Sequence, residues 1–312
     1  SAARIMPMLQ LMGDRKRVGD ARAHYLGLLS DEHTEAAVWA RLRESSDRNL
    51  RRVAFRRSLA HGLVDVEQSA AALPTETDQV VRSLLSRVIG ETAAPEVIAD
   101  VLLKHGTPGG RALGLVRLRA TQIDPDLLER LLIDSSVLVR LWARTRWSES
   151  GRDALATYRA MTRDPDLAPR LRARAYGGLL EAEGVIDHAE ALDLLHSGLP
   201  PLVKVGLRQL AENASPDDVP ELFDVVRTGT AKEARLASSV LLGLRRSWTV
   251  EHLAPMKVAE DARLRRRAWW LHRGLGGWEE TLADLEVVGD ADADLAQLGR
   301  GVRPPAYLQP ND

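Results

Sequence analysis

The sequence PDLLERLLIDSSVLVRLWA (residues 125–143) is the clearest indication of how this chain folds. Its apolar residues recur at spacings of three and four on both sides of a short polar segment, which is typical of two amphipathic helices joined by a turn. Pro125 falls in the first turn of the first helix, where its missing N–H costs no hydrogen bond. Residues 125–143 therefore predict a helical hairpin, with a first helix (helix A), a turn and a second helix (helix B).

This hairpin recurs along the chain. A basic residue near the start of each B helix marks the repeat, and successive markers are separated by 31, 29, 29, 30, 34, 31 and 30 residues. These register residues are Arg51, Arg82, Arg111, Arg140, Arg170, Lys204, Arg235 and Arg265. Because neither helix of a hairpin can bury its apolar stripe alone, we expect the units to stack on one another.

The residues around each marker indicate how a B helix is built. Positions −1, +3 and +7 relative to the marker fall on one stripe that we expect to be buried, with the basic residue at its edge. Four residues before the marker, carboxylates are predicted to cap the helix start at Asp47, Asp78, Asp166 and Asp261. Predicted A helices include residues 94–104, 125–132, 187–195, 219–226 and 250–258.

Composition limits the class of protein. The chain has 312 residues, 2 Phe, 4 Tyr and no cysteine, which excludes disulfides, Cys-built zinc sites and thiol nucleophiles. No sustained β-branched alternation or hairpin-turn signal is present, so the sequence predicts an all-α protein. No apolar run has the length of a membrane helix, and we expect a cytoplasmic protein. Because residue 1 is serine, we expect a processed amino terminus or further natural sequence upstream.

Residues 125–143 resemble the HEAT-repeat consensus, as do VPELFDVV (219–226) and DQVVRSLL (78–85). The resemblance covers residues 32–277, or eight units. It departs from the family pattern in the fourth, sixth and seventh units, where Ser136, Pro200 and Ala231 replace the turn aspartate. The resemblance implies a right-handed α-solenoid (an armadillo-type fold) of about eight two-helix repeats, with B helices on its concave side.

The ends of the chain complete this predicted organisation. Residues 1–31 are interpreted as N-terminal capping helices and residues 278–300 as C-terminal capping helices, and residues 301–312, with three prolines, as a mobile tail. Because capped ends leave no exposed stacking face, we expect a monomer.

Charge is divided between the two kinds of helix. The B-helix windows contain 27 Lys+Arg and 11 Asp+Glu, whereas the rest of the chain contains 16 and 33. These windows are residues 45–62, 76–91, 108–121, 135–149, 166–182, 199–213, 230–247 and 260–275. If the B helices line the inner groove, that groove is basic. The register residues are assigned to the fold, since HEAT repeats commonly bond this residue to an aspartate in the turns.

The other arginines of the B helices lie away from the buried stripe and are candidates for a continuous basic strip. They are Arg52, Arg56, Arg87, Arg119, Arg144, Arg174, Arg208, Arg266 and Arg273. The alternative, a solvated face paired with carboxylates of the A helices, stays open.

Seven tryptophans against two phenylalanines are unusual. Trp147 lies on the buried stripe and is predicted to be core. Those outside the stripe and beside arginines are Trp142, Trp269 and Trp270. They suit stacking on a base or a partner side chain, although the favoured interpretation is that they fill gaps between adjacent repeats. Those in or near A helices or turns, and interpreted as structural, are Trp39, Trp248 and Trp278.

The sequence shows no His-Glu-x-x-His pair, nucleophile elbow or phosphate loop, so we expect no metal, no cofactor and no enzymatic activity. The glycine cluster at residues 106–114 is interpreted as the turn that opens the third B helix. The favoured function is a non-enzymatic scaffold or adaptor that binds a protein partner of acidic character in protein–protein interaction along the basic groove.

The alternative function is nucleic-acid binding through phosphate contacts and tryptophan stacking. A HEAT-like DNA glycosylase is the least favoured reading. Trp142, Arg144 and Trp147 resemble the concave surface of those enzymes, but no aspartate is placed one helical turn from a tryptophan predicted to be exposed.

Overall fold

The computed structural model describes residues 36–277, 281, 283–285, 292 and 295. These residues form seventeen α-helices and no β-strand, so the all-α prediction is confirmed. The chain divides into two compact units, residues 1–154 and residues 155–312. The predicted capping helices at residues 1–31, the tail at 301–312 and most of segment 278–300, Trp278 included, lie outside the described residues.

Nine helices of the first unit are described. They are α1 (Ala36–Arg43), α2 (Arg48–Ala60), α3 (Val66–Ala72), α4 (Gln79–Thr92), α5 (Pro95–Val97), α6 (Leu103–His105), α7 (Pro108–Arg117), α8 (Pro125–Leu132) and α9 (Val137–Glu149). A π-helical turn, Ile98–Leu102, joins α5 to α6. Within this unit α2 contacts α4, α4 contacts α7, and α7 contacts α9, so the predicted B helices follow one another side by side.

The second unit repeats this arrangement. Its described helices are α10 (Ala154–Arg163), α11 (Pro169–Glu183), α12 (His188–His196), α13 (Pro200–Asn213), α14 (Val219–Thr228), α15 (Ala231–Gly243), α16 (Ala254–Lys257) and α17 (Ala262–Gly276). The B helices α11, α13, α15 and α17 contact one another in that order, and α12, α14 and α16 pack against the B helix that follows each of them.

Three of the four predicted caps are confirmed. The carboxylates of Asp47, Asp78 and Asp261 accept hydrogen bonds from backbone N–H groups in the first turns of α2, α4 and α17. The predicted cap at Asp166 is wrong, because α11 begins after Ala168 with Pro169 as its first residue. A proline fixes the backbone angle suited to a first helical position, and it moves the helix start past the carboxylate.

The buried stripes of the B helices consist mainly of small and aliphatic residues, with Trp147 on α9 as an aromatic member. On α4 the stripe consists of Val81, Leu85 and Ile89, all fully buried. In the second unit, a β-carbon added to Gly178 would lie 2.4 Å from the ring of Tyr158, so this glycine is needed for α11 to approach α10. Trp147, which was predicted to be core, is 4% exposed, and Trp39 and Trp248, which were interpreted as structural, are 1% and 3% exposed.

The glycine cluster behaves as predicted. Thr107 caps α7, its hydroxyl accepting a hydrogen bond from the N–H of Gly110.

Across the described residues, no helix has both the length and the apolar character needed to cross a membrane.

Candidate binding surface

The register arginines of the first unit bond to the turns that precede their helices. Arg51 donates from Nη1 to the carbonyls of Ser45 and Ser46, at 2.7 and 3.1 Å. Arg140, whose exposed fraction is 7%, donates to the carbonyl of Asp134 at 2.6 Å. Backbone carbonyls in turns need a donor when helix bonds do not supply one. These side chains therefore belong to the fold.

Two register arginines also join consecutive turns. Arg82 donates to the carbonyls of Leu73 and Glu76 in its own turn and to that of His105 in the next. Arg111 donates to Gly106 at 2.6 Å and forms an ion pair with Asp134, 2.8 Å away, in the turn before α9.

Three register assignments of the second unit do not fall four residues after the cap: Arg170 stands two residues after it, and Lys204 and Arg235 stand five residues after theirs. Arg170 is exposed, and Arg172 instead stands four residues after the cap of α11, as Arg51 and Arg82 stand after theirs. In the last B helix Arg265 follows the pattern and donates to the carbonyls of Ala259 and Glu260.

A further set of structural arginines was missed by the sequence reasoning. Arg117 donates to the carbonyl of Gly90, and Arg146 to those of Leu115 and Val116, so each ties the end of its B helix to the end of the preceding one. Both stand ten residues after their caps, a periodicity that could have revealed them. Arg267 donates to Val226 at 2.6 Å, and burial lowers the pKa of its guanidinium.

Two of the predicted strip arginines are held in ion pairs. Arg52 donates to both carboxylate oxygens of Asp78, with Nη2 at 2.8 Å from Oδ2, and this hydrogen bonding lowers the pKa of Asp78 and raises that of Arg52. Arg266 lies 3.0 Å from the carboxylate of Asp292. These contacts link Arg52 and Arg266 to neighbouring segments of their own units. The partners differ from the predicted A-helix carboxylates, because Asp78 caps the B helix α4 and Asp292 lies beyond α17.

Other predicted strip arginines face solvent. Arg56 and Arg208 are exposed and have no hydrogen bond or ion pair to any described residue, and Arg273 is exposed as well. Arg87 is exposed and lies 3.9 Å from Glu91 on the same helix. Arg119 is exposed, but α7 ends at Arg117, so its predicted place on a B helix is wrong.

The remaining predicted site residues are less accessible. Arg144, Arg174, Trp142 and Trp270 are half-buried. Nη1 of Arg144 has no hydrogen-bond partner in the described structure. The guanidinium of Arg146 lies 6.0 Å from the ring centre of Trp142.

Trp269 corrects the sequence analysis. It was placed outside the buried stripe, but its exposed fraction is 3%. The ammonium of Lys257 lies 4.2 Å from its ring centre, and such a cation over an indole face is an attractive contact. Trp269 therefore packs inside the second unit. It could stack on a base only if the side chains that cover it moved away.

The predicted binding residues, which are the strip arginines and three tryptophans, divide between the two units. Arg52, Arg56, Arg87, Arg119, Trp142 and Arg144 belong to the first, and Arg174, Arg208, Arg266, Trp269, Trp270 and Arg273 to the second. In the first unit, Arg56 and Arg87 share one position: each stands nine residues after the capping aspartate of its helix. Since α2 contacts α4, these two guanidinium groups lie on the same side of adjacent helices.

Other chemistry is sparse in the described part of the chain. There, no group of three or more His, Cys, Asp or Glu side chains has an arrangement that could hold a metal ion. No protein-family model, no curated protein and no solved structure matches this chain. The resemblance to HEAT repeats thus depends on the repeat residues alone.

Proposed function

We propose that this chain is a right-handed α-solenoid of HEAT-like repeats that acts as a non-enzymatic scaffold or adaptor. In this proposal the B helices line a concave groove, and a protein partner of acidic character binds along it. Support comes from the helix pairs of each unit and from the order in which successive B helices contact one another. Repeat proteins built this way present extended binding surfaces.

One observation carries the choice of partner. Arg56 and Arg87 occupy equivalent solvent-facing positions on adjacent helices, whereas most neighbouring arginines are used by the fold. Two exposed guanidinium groups on a helical surface attract carboxylates, increase the association rate and select against basic partners. The field of the B helices is weaker than their charge count indicates, because Arg51, Arg52 and Arg82 are already paired with turn carbonyls or carboxylates. Because a nucleic acid is bound mainly through many contacts between basic side chains and phosphates, a weaker positive field on the B helices favours a protein as the partner.

The proposal is tested by comparing the double variant Arg56→Glu/Arg87→Glu with a matched control, Arg41→Glu/Arg130→Glu. Arg41 and Arg130 are exposed on the A helices α1 and α8, so the control makes the same change in net charge on a different class of helix. Crosslinking and quantitative capture from the producing cells should show a set of proteins that is retained by wild type and by the control and lost by Arg56→Glu/Arg87→Glu. Identical sets for all three proteins would contradict the proposal.

Nucleic-acid binding is the second candidate. The observation that favours it is Trp270, a half-buried indole nine residues after Asp261, the position that Arg56 and Arg87 hold in their helices. Anisotropy of labelled single-stranded and double-stranded DNA and of RNA separates the candidates. Binding at physiological salt with a steep salt dependence, lost in Trp270→Ala, would replace the protein-partner proposal. If the partner is a protein, as proposed above, no oligonucleotide binding is expected at physiological salt.

A further inference from the structure

On α9, two leucines face solvent instead of the core. The exposed fractions are 50% for Leu138 and 42% for Leu141. They stand two and five residues after the cap of α9, on the side of the helix opposite Val139 and Ala143, which are fully buried. Large apolar side chains arranged together on an exposed helix face mark interaction sites more often than isolated ones do.

The neighbouring helix α7 extends this surface. Val116 is 42% exposed and stands nine residues after Thr107, the cap of α7. The start of α7 bonds to the turn before α9 through Arg111 and Asp134, and the end of α9 bonds to the end of α7 through Arg146. The two helices therefore run parallel with their solvent-facing sides together. We call Val116, Leu138 and Leu141 the apolar patch.

The solvent-facing side of the first unit thus has two halves. Arg56 on α2 and Arg87 on α4 form a basic pair, at the same position after the cap that Val116 has on α7. Since α2, α4, α7 and α9 contact one another in order, the basic pair and the apolar patch lie on one continuous helical surface. Helices pack roughly 8–10 Å apart, so this surface extends over about 25–30 Å across the four helices.

We infer that this surface binds one segment of a partner protein that is acidic at one end, where its carboxylates meet the basic pair, and apolar at the other end, where its side chains meet the apolar patch. The inference rests on the proposed function and specifies its partner. A helix of about 20 residues covers such a length at 1.5 Å per residue. A second copy of the chain fits less well, because a self-pairing face would set arginine against arginine or against leucine.

The test uses peptides selected from a random library displayed on phage, with the full chain as bait. Enriched peptides should carry carboxylates toward one end and large apolar residues toward the other. Their affinities are then measured by fluorescence anisotropy against Leu138→Ser/Leu141→Ser and Arg56→Ser/Arg87→Ser. Each double variant should lose about tenfold or more in affinity, since apolar anchors and charge partners at the centre of an interface dominate its energetics.

A matched control removes two exposed apolar side chains elsewhere. Val185→Ser/Val258→Ser changes residues of the second unit that are 61% and 81% exposed, and it should bind the peptides as wild type does. Circular dichroism melting of all three double variants checks that they remain folded. This is expected because each substituted side chain faces solvent.

The outcomes separate this inference from the proposed function. Peptides that bind Leu138→Ser/Leu141→Ser and wild type equally would overturn the inference while leaving a protein partner on the basic pair intact. A library that enriches no peptide also overturns it, and the capture experiment then decides the proposed function on its own. Sedimentation that shows a dimer abolished by Leu138→Ser/Leu141→Ser would replace the partner with a second copy of the chain.

Discussion

The two units use the start of their B helices differently. In the first unit an arginine stands four residues after the cap of every B helix, at Arg51, Arg82, Arg111 and Arg140. In the second unit the same position holds Arg172, Val203, Ala234 and Arg265. Val203 and Ala234 are buried apolar residues.

The turns before these helices explain the difference. Where arginine stands, turns of four and six residues (44–47 and 73–78) leave carbonyls that helix bonds do not satisfy, and the guanidinium bonds to them. Where Val203 and Ala234 stand, the turns have three and two residues (197–199 and 229–230), so the position is used for apolar packing. Arg111 is an exception, since its turn has two residues but its side chain continues to Asp134 in the next turn.

The largest effect is expected from Arg82→Ala. The change removes a donor shared by three carbonyls, and bonds from a charged donor contribute about 1.5–3 kcal/mol each, so we expect about 3 kcal/mol of lost stability after solvent exposure is considered. The free energy of unfolding is measured with urea. Lys204→Ala in the second unit is the control and should change it by less than about 0.5 kcal/mol. If both variants lost the same free energy of unfolding, the register residues of the two units would contribute equally to stability, which would contradict the comparison.

Arg172→Ala and Arg170→Ala test the corrected position in α11. Arg172 is half-buried with Nε enclosed, whereas Arg170 is exposed. We expect a loss of about 1–2 kcal/mol for Arg172→Ala and less than about 0.5 kcal/mol for Arg170→Ala, measured by urea unfolding. The reverse order would restore Arg170 as the register residue.

Asp78→Asn and Asp261→Asn compare a buried and an exposed cap. Asparagine retains the cap, so each change reports on charge. Since the folded-state pKa of Asp78 lies below its ordinary value, its contribution is present above pH about 4 and is lost as the pH falls through the folded pKa.

At neutral pH we expect Asp78→Asn to cost about 1.5 kcal/mol, because the carboxylate pairs with Arg52, and Asp261→Asn to cost about 0.5 kcal/mol. The difference in the free energy of unfolding between wild type and Asp78→Asn should become smaller when urea unfolding is repeated at lower pH. A difference that stays constant from neutral pH to pH 3 would contradict the ion-pair explanation.

The smallest effect is expected for Leu138→Ser. Half of this side chain already faces water in the free protein, so the free energy of unfolding should change by less than about 0.5 kcal/mol. A loss above about 1 kcal/mol would mean that Leu138 packs in the fold of the first unit and is not available to a partner. Thermal melts beside wild type are sufficient for this measurement.

Local patterns predicted the helices well. The spacing of apolar residues gave the bounds of α8 at residues 125–132, and Asp47, Asp78 and Asp261 marked helix starts, because capping depends only on residues close in sequence. The same logic failed at Asp166, where Pro169 set a later start.

The binding surface was harder to predict because it depends on distant contacts. Arg52 and Arg266 were expected to face a partner, but each is paired with a carboxylate 26 residues further along the chain. Helical angles placed Trp269 on an open face that Lys257 covers in the folded unit. Leu138 and Leu141 are apolar but lie at positions outside the predicted buried stripe. This disagreement between residue type and predicted position could have revealed the apolar patch from the sequence.

The links between consecutive turns give the first unit a mechanical property. Arg52 with Asp78, Arg82 with the carbonyl of His105, and Arg111 with Asp134 each join one hairpin to the next, so they form a series along the chain. Each element in a series bears the full tension applied to the ends of the unit, so the weakest link sets the rupture force. Stretching would therefore detach hairpins one at a time, and the unit would lengthen in steps.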